Sequence, residues 1–170
     1  MKKSHTLSLA LLIAVLIANP AMASSSKNPY GTSTIDPAAP NEVILTISKG
    51  KQRADFAYPR LLKLKHSTIS IYEPFLKKRQ TFTVIKLQTL FNFVGINGKD
   101  KVITKALNDY IFTATASDLL AAQGYLALKR DGIAIPYDQG GPIRIIFPDN
   151  SKWSKNLDAW NWSLASISVK

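Results

Sequence analysis

The chain has 170 residues with no cysteine, two histidines, and 22 Lys+Arg against 11 Asp+Glu, a formal net charge of +11. Without cysteine there is no disulfide and no thiolate to act as nucleophile or metal ligand, and two histidines alone do not complete a zinc site. The basic surplus suits an anionic partner, or serves solubility with no partner at all.

In chain order, Lys2 and Lys3 form a positive start, and residues 7–18 are apolar everywhere except Ser8. A run of about twelve is long enough for a signal core and short of the roughly twenty that a membrane span needs. Asn19 and Pro20 break that run, and Ala21-Met22-Ala23 supplies the small residues a signal peptidase reads. Residues 1–23 are therefore expected to be a cleaved signal peptide, which places the remainder in the periplasm; an uncleaved anchor is the other reading. No later segment is apolar enough to span a bilayer. Export makes nucleic acid a poor candidate for the anionic partner. With Lys2 and Lys3 gone, 20 basic residues face 11 acidic ones. His5 leaves too, so His66 is the one imidazole left.

Residues 24–41 are rich in Ser, Pro, Asn and Ala, with Pro29, Pro37 and Pro40, and read as a flexible leader. The domain is expected over 42–170, starting with a strand in which Val43, Leu45 and Ile47 share a face. Pro59 suits the first turn of a short helix that turns Leu61 and Leu62 inward. A strand over 68–72 places Ile69 and Ile71 on one face, and 81–85 is again strand-like. Leu87, Leu90, Phe91 and Val94 then fall at helical spacing, with Gly95 as the stop.

Strands are predicted at 101–107 and 110–115 around an Asn108-Asp109 turn, and Ser117 is expected to cap a helical turn reaching Ala122. Asp131-Gly132 is a two-residue hairpin signal between 125–130 and 133–136. Ile143, Ile145 and Phe147 form one face of a strand ending at Pro148. Trp160, Trp162 and Leu164 alternate, but Ile167 and Val169 continue in the opposite phase, which predicts a β-bulge near Ala165 and Ser166. The sum is an α+β domain, a strand-rich mixed sheet with a few short helices.

Chemistry-bearing patterns are sparse. His66 lies between Lys65 and Ser67 in a predicted loop, with no Gly-x-Ser-x-Gly elbow and no phosphate loop elsewhere. Asp109, Asp118, Asp131, Asp138, Asp149 and Asp158 sit mostly in turns, where aspartate is common without catalysis. Lys77-Lys78-Arg79 is the densest basic run and, with Lys49, Lys51, Arg53, Lys63 and Lys65, either builds a basic face or is a solvated loop. Trp160 and Trp162 are expected in the core. Trp153, among Ser151, Lys152 and Ser154, is the candidate for an exposed aromatic at a binding surface.

One order of segments carries a resemblance. Ala106-Leu107-Asn108-Asp109-Tyr110 is followed by Ser117-Asp118-Leu119, then by residues 127–132, then by Gly140-Gly141-Pro142-Ile143-Arg144-Ile145-Ile146-Phe147-Pro148 and a Trp-bearing close. This resembles the molybdopterin-binding domain of sulfite-oxidase-like oxidoreductases, over roughly 42–170 and best from Ala106 onward, and most of all its short stand-alone exported members. The resemblance implies that fold, and a ligand groove near Tyr72, Asn108, Asp109, Tyr110, Gln139, Gly140, Gly141 and Arg144. It also marks a departure. The family ligates molybdenum through a cysteine thiolate, whose counterpart falls around Tyr72-Glu73-Pro74, and no residue there replaces that soft donor. Family members carry His where this chain has Gln139. Arg144 matches the family's arginine and could hold a phosphate bidentately, or else faces outward from a half-buried strand; Gly140, Gly141 and Pro142 equally suit a plain turn.

The expectation is a non-catalytic periplasmic binding or accessory protein, without cofactor, that holds a small anionic ligand or a periplasmic or membrane-anchored partner protein. The alternatives are an oxidoreductase or electron-transfer subunit that still holds molybdopterin through Arg144, and an envelope protein drawn to anionic lipid or polysaccharide. A groove filled by Tyr72 or Phe75 would favour a purely protein-binding role.

Overall fold

The computed structural model describes residues 38–170; the expected signal peptide and most of the leader lie outside the described residues. The strands form two five-stranded sheets. In the first, β1 (Val43–Lys49), β2 (Gln52–Ala57), β5 (Lys101–Ala106), β6 (Ile111–Thr115) and β10 (Leu164–Val169) run in the order β2-β1-β10-β5-β6. Its pairs are antiparallel except β1 with β10, which is parallel. In the second, β3 (Ser67–Glu73), β4 (Lys78–Lys86), β7 (Tyr125–Arg130) and β8 (Ile133–Ala134) are consecutive neighbours, and β9 (Arg144–Ile146) also pairs with β7. Among the described residues three short α-helices accompany the sheets: α1 (Tyr58–Leu62), α2 (Leu87–Phe91) and α3 (Ala116–Ala121). None of the described helices is long and apolar enough to cross a membrane.

Period-2 patterning carries the sheets. Leu45 and Ile47 of β1, Ala54 and Phe56 of β2, Phe82 and Val84 of β4 and Ile167 of β10 turn into one core. Val43, expected on the same face, is exposed, because the β1–β2 register shifts between Val43 and Leu45. The predicted bulge in the last strand is present: the β10–β5 register shifts between Leu164 and Ser166, which brings Leu164 and Ile167 to one buried face. At the β7–β8 turn Asp131 (φ 51) and Gly132 (φ 81) both take the left-handed conformation that a tight two-residue hairpin requires.

Four expectations need correction. The helix at 87–94 is shorter: α2 ends at Phe91, whose carbonyl accepts from both Val94 and Ile96, and Gly95 (φ 68) makes the reversal. Thr115, not Ser117, caps α3, because Thr115 is the residue with extended backbone and its hydroxyl accepts the Asp118 N–H at 3.1 Å. The segment from Ile143 to Phe147 shows no single buried face; all three residues of β9 are buried. Trp160 and Trp162 do not belong to the last strand. Ser163 takes φ 49, incompatible with a strand, so β10 starts at Leu164; Trp160 is buried behind a 3-10 turn and Trp162 is half-buried.

Candidate functional site

The alternation of β3 continues past Ile71 to its last residue, and so the side chain of Glu73 points inward with Ile71. Glu73 is 0% exposed. Its Oε2 accepts the Leu76 N–H at 2.5 Å, which closes the turn from β3 to β4, and its Oε1 lies 3.9 Å from Nη2 of Arg144. Arg144 is also 0% exposed; its guanidinium lies 5.0 Å from the Phe82 ring centroid and 5.8 Å from that of Trp162. The outward-facing reading of Arg144 therefore needs correction: β9 is covered on both faces, so its arginine is enclosed among aromatic faces and a carboxylate.

Trp162, which neighbours Arg144, is itself packed on by other parts of the chain. Phe75, at the tip of the β3–β4 turn, packs edge-on against Trp162 with centroids 4.8 Å apart. Gly140 (φ 82) brings its backbone against the same indole: a Cβ there would sit 3.3 Å from Trp162. Gly141 is tighter, since a Cβ would meet the Ile135 carbonyl oxygen at 1.9 Å. Both glycines serve close backbone approach. Gln139, at the end of a 3-10 turn, accepts a hydrogen bond from Arg130 Nη2.

The other expected residues divide between two neighbouring surface grooves. Tyr72 and Lys77 line one of about 530 Å³, with Pro74, Asp149, Ser154, Lys155 and Leu157. Asn108 and Tyr110 line a second of about 260 Å³, with Phe75, Asp158, Trp160 and Trp162, and Leu157 forms a wall of both. Asn108 accepts the Tyr110 N–H at 3.2 Å within its turn, and the Tyr110 hydroxyl donates to the Asp158 carbonyl at 3.0 Å. Burial, with the Asp158 charge second, pushes the Tyr110 phenol up from its ordinary value. Asp109 (φ 65) points away and pairs with Lys105 at 2.6 Å.

The basic run divides as well. Arg79 donates to Asp149 at 2.7 Å and to the Ser70 carbonyl at 3.2 Å, while the Tyr72 N–H donates to the other Asp149 oxygen at 2.6 Å. Arg79 and Asp149 together satisfy two backbone groups on the open edge of β3, the Ser70 carbonyl and the Tyr72 N–H, a protection suited to an edge strand. The Tyr72 N–H first, and Arg79 after it, hold the Asp149 carboxyl below its usual range. Lys77 and Lys78 remain exposed. Trp153 is not the exposed aromatic expected from its polar neighbours. It is half-buried, edge-on to Phe112 and Phe147 at 5.6 and 5.4 Å, and its carbonyl accepts from the Trp160 indole. Sequence reasoning missed Glu73, Lys155 and Leu157 as site residues. A larger groove of about 670 Å³ between Ala38, Tyr58, Ile135, Tyr137 and Pro142 contains none of the expected residues.

No family model matches the chain, and no curated protein does. Among solved structures, the sulfane dehydrogenase SoxCD from Paracoccus pantotrophus aligns over 79% of this chain with a TM-score of 0.61 and 12% sequence identity. The two share a fold. The chain covers 39% of the SoxCD chain it matches, and at this identity the likeness is one of architecture. Among the described residues no group of three or more His, Asp or Glu is placed to hold a metal ion.

Proposed function

We propose that this is an exported, periplasmic, non-catalytic binding protein: a sulfite-oxidase-like molybdopterin-binding scaffold whose cofactor position is filled by its own side chains and whose surface holds a partner protein. One observation carries the reading. Around the turn where the resembled family places its metal-ligating cysteine, this chain has Glu73, fully buried against an equally buried Arg144 that lies beside the Phe82 and Trp162 rings.

The residues present do not fit the family's cofactor. A hard carboxylate replaces a soft thiolate, and that carboxylate is already engaged by a backbone N–H and a guanidinium. The arginine that would hold the pterin phosphate is shut off from solvent. This favours a partner protein over a small anion, since the guanidinium best suited to an anion is enclosed while the apolar and aromatic side chains around Leu157 are exposed.

The test is composition of the native protein. Purified from the periplasm of a cell that makes the molybdenum cofactor, it should carry far less than one molybdenum per chain by elemental analysis and no pterin fluorescence after denaturation. Stoichiometric molybdenum, with turnover of an electron donor, overturns the reading.

A further inference from the structure

Around Leu157 the surface is unusually apolar for a protein so rich in lysine. Tyr72 is 48% exposed, Phe75 38%, Tyr110 41% and Leu157 46%, and all four line the two adjoining grooves that share Leu157 as a wall. A contiguous cluster of this kind marks an interaction site, whereas isolated exposed apolar residues mean little. Two of its side chains are held in place, Tyr110 by its hydroxyl on the Asp158 carbonyl and Phe75 by its edge-on contact with Trp162, and the Tyr72 backbone is fixed by its N–H on Asp149. Little ordering is then left to be done when a partner arrives.

Charge gives the surface a direction. Lys77 and Lys155 line the larger groove, and among the described residues neither forms an ion pair or hydrogen bond. Asp149 lies in the same groove but does not neutralise them, because its two oxygens are taken by the Tyr72 N–H and by Arg79. On the far side of Leu157 the smaller groove has a different rim, made of Asn108 and Asp158. One end of the surface is therefore basic and the other neutral to acidic.

We infer that these grooves form one docking surface for an acidic polypeptide segment of a partner protein, which seats an apolar side chain on each side of Leu157 and sets carboxylates beside Lys77 and Lys155. The inference rests on the partner-binding reading above and names the partner's chemistry. An acidic polysaccharide would satisfy the lysines, but the groove walls are mainly apolar and Leu157 projects between them, which suits side-chain anchors better than a stacked sugar ring.

The experiment uses the full exported protein and two matched pools of 12-residue peptides, each carrying two Leu or Phe residues, one pool flanked by Glu and the other by Lys. Fluorescence polarisation should show the Glu pool binding with a dissociation constant on the order of 10–100 μM and the Lys pool at least about tenfold weaker. Leu157→Asp should weaken the Glu pool by about tenfold or more, and Lys77→Glu with Lys155→Glu should invert the preference. Ile133→Asp, at an exposed position away from both grooves, should leave binding unchanged. Equal affinity for the two pools, no binding of either, or binding of oligogalacturonate in place of peptides overturns the inference. Those outcomes leave the metal-free reading standing, while stoichiometric molybdenum removes the basis of both.

Discussion

Replacing Glu73 by Gln keeps the turn-closing acceptor for the Leu76 N–H and removes only the charge beside Arg144. The nearest atoms of the pair are 3.9 Å apart, too far for a hydrogen bond, so the interaction is between charges. At that separation and an effective dielectric near 20 the attraction is about 4 kcal/mol. This agrees with the roughly 3–5 kcal/mol lost when one member of a buried pair is removed. Glu73→Gln should then lower the urea midpoint by about 2 M, for a denaturant dependence near 2 kcal/mol per molar, followed by tryptophan fluorescence at neutral pH. Arg144→Met should cost less in the Glu73→Gln background than in the native one, with a coupling of about 1–3 kcal/mol. A Glu73→Gln loss below about 1 kcal/mol, or additive effects, would refute the claim that this pair fills and holds the centre of the scaffold.

Thr115→Ala should cost about 1 kcal/mol through loss of the α3 cap, and Ser117→Ala clearly less, both read from urea melts. Gly141→Ala should cost at least about 2 kcal/mol in a thermal melt, because its Cβ has no room beside the Ile135 carbonyl. Lys152 holds Asp118 below its usual value, and Tyr72 and Arg79 do so for Asp149. Near pH 4 the unfolded chain therefore binds more protons than the folded one, so stability is full above that range and falls as pH drops through the lowered values. Asp149→Asn should flatten that acid limb in melts taken from pH 2 to pH 7.

How much of this was legible in the sequence depends on range. Short-period patterns found most of the strands, the Asp131-Gly132 hairpin and the bulge near Ala165, because each is decided by alternation or by left-handed backbone within a few residues; β2 (Gln52–Ala57) was missed. Features that depend on a partner far along the chain were not legible. Polar neighbours made Trp153 look exposed, but Phe112 and Phe147, brought by other strands, cover it. Leu157 also sits among polar residues, Lys155, Asn156 and Asp158, but its place as the wall between two grooves depends on β3 and the β5–β6 turn, which arrive on either side.

Glu73 is the instructive case, since half of its signal was present. Ile69 and Ile71 share a face, and one more step of the same period puts Glu73 on it. A carboxylate at an inward position predicts a buried cation to meet it, because an isolated buried charge is too costly. The alternation could not say which cation, as Arg144 lies on β9, with β4 and β7 between it and β3. The absence of cysteine and the buried carboxylate are then one observation seen twice. On the proposed reading, where the resembled family offers a soft donor to a metal, this turn offers a hard anion to the protein's own arginine. With Arg144 buried against Glu73, the proposed reading turns to the surface, where the lysines and aromatics around Leu157 are the groups placed to meet a partner.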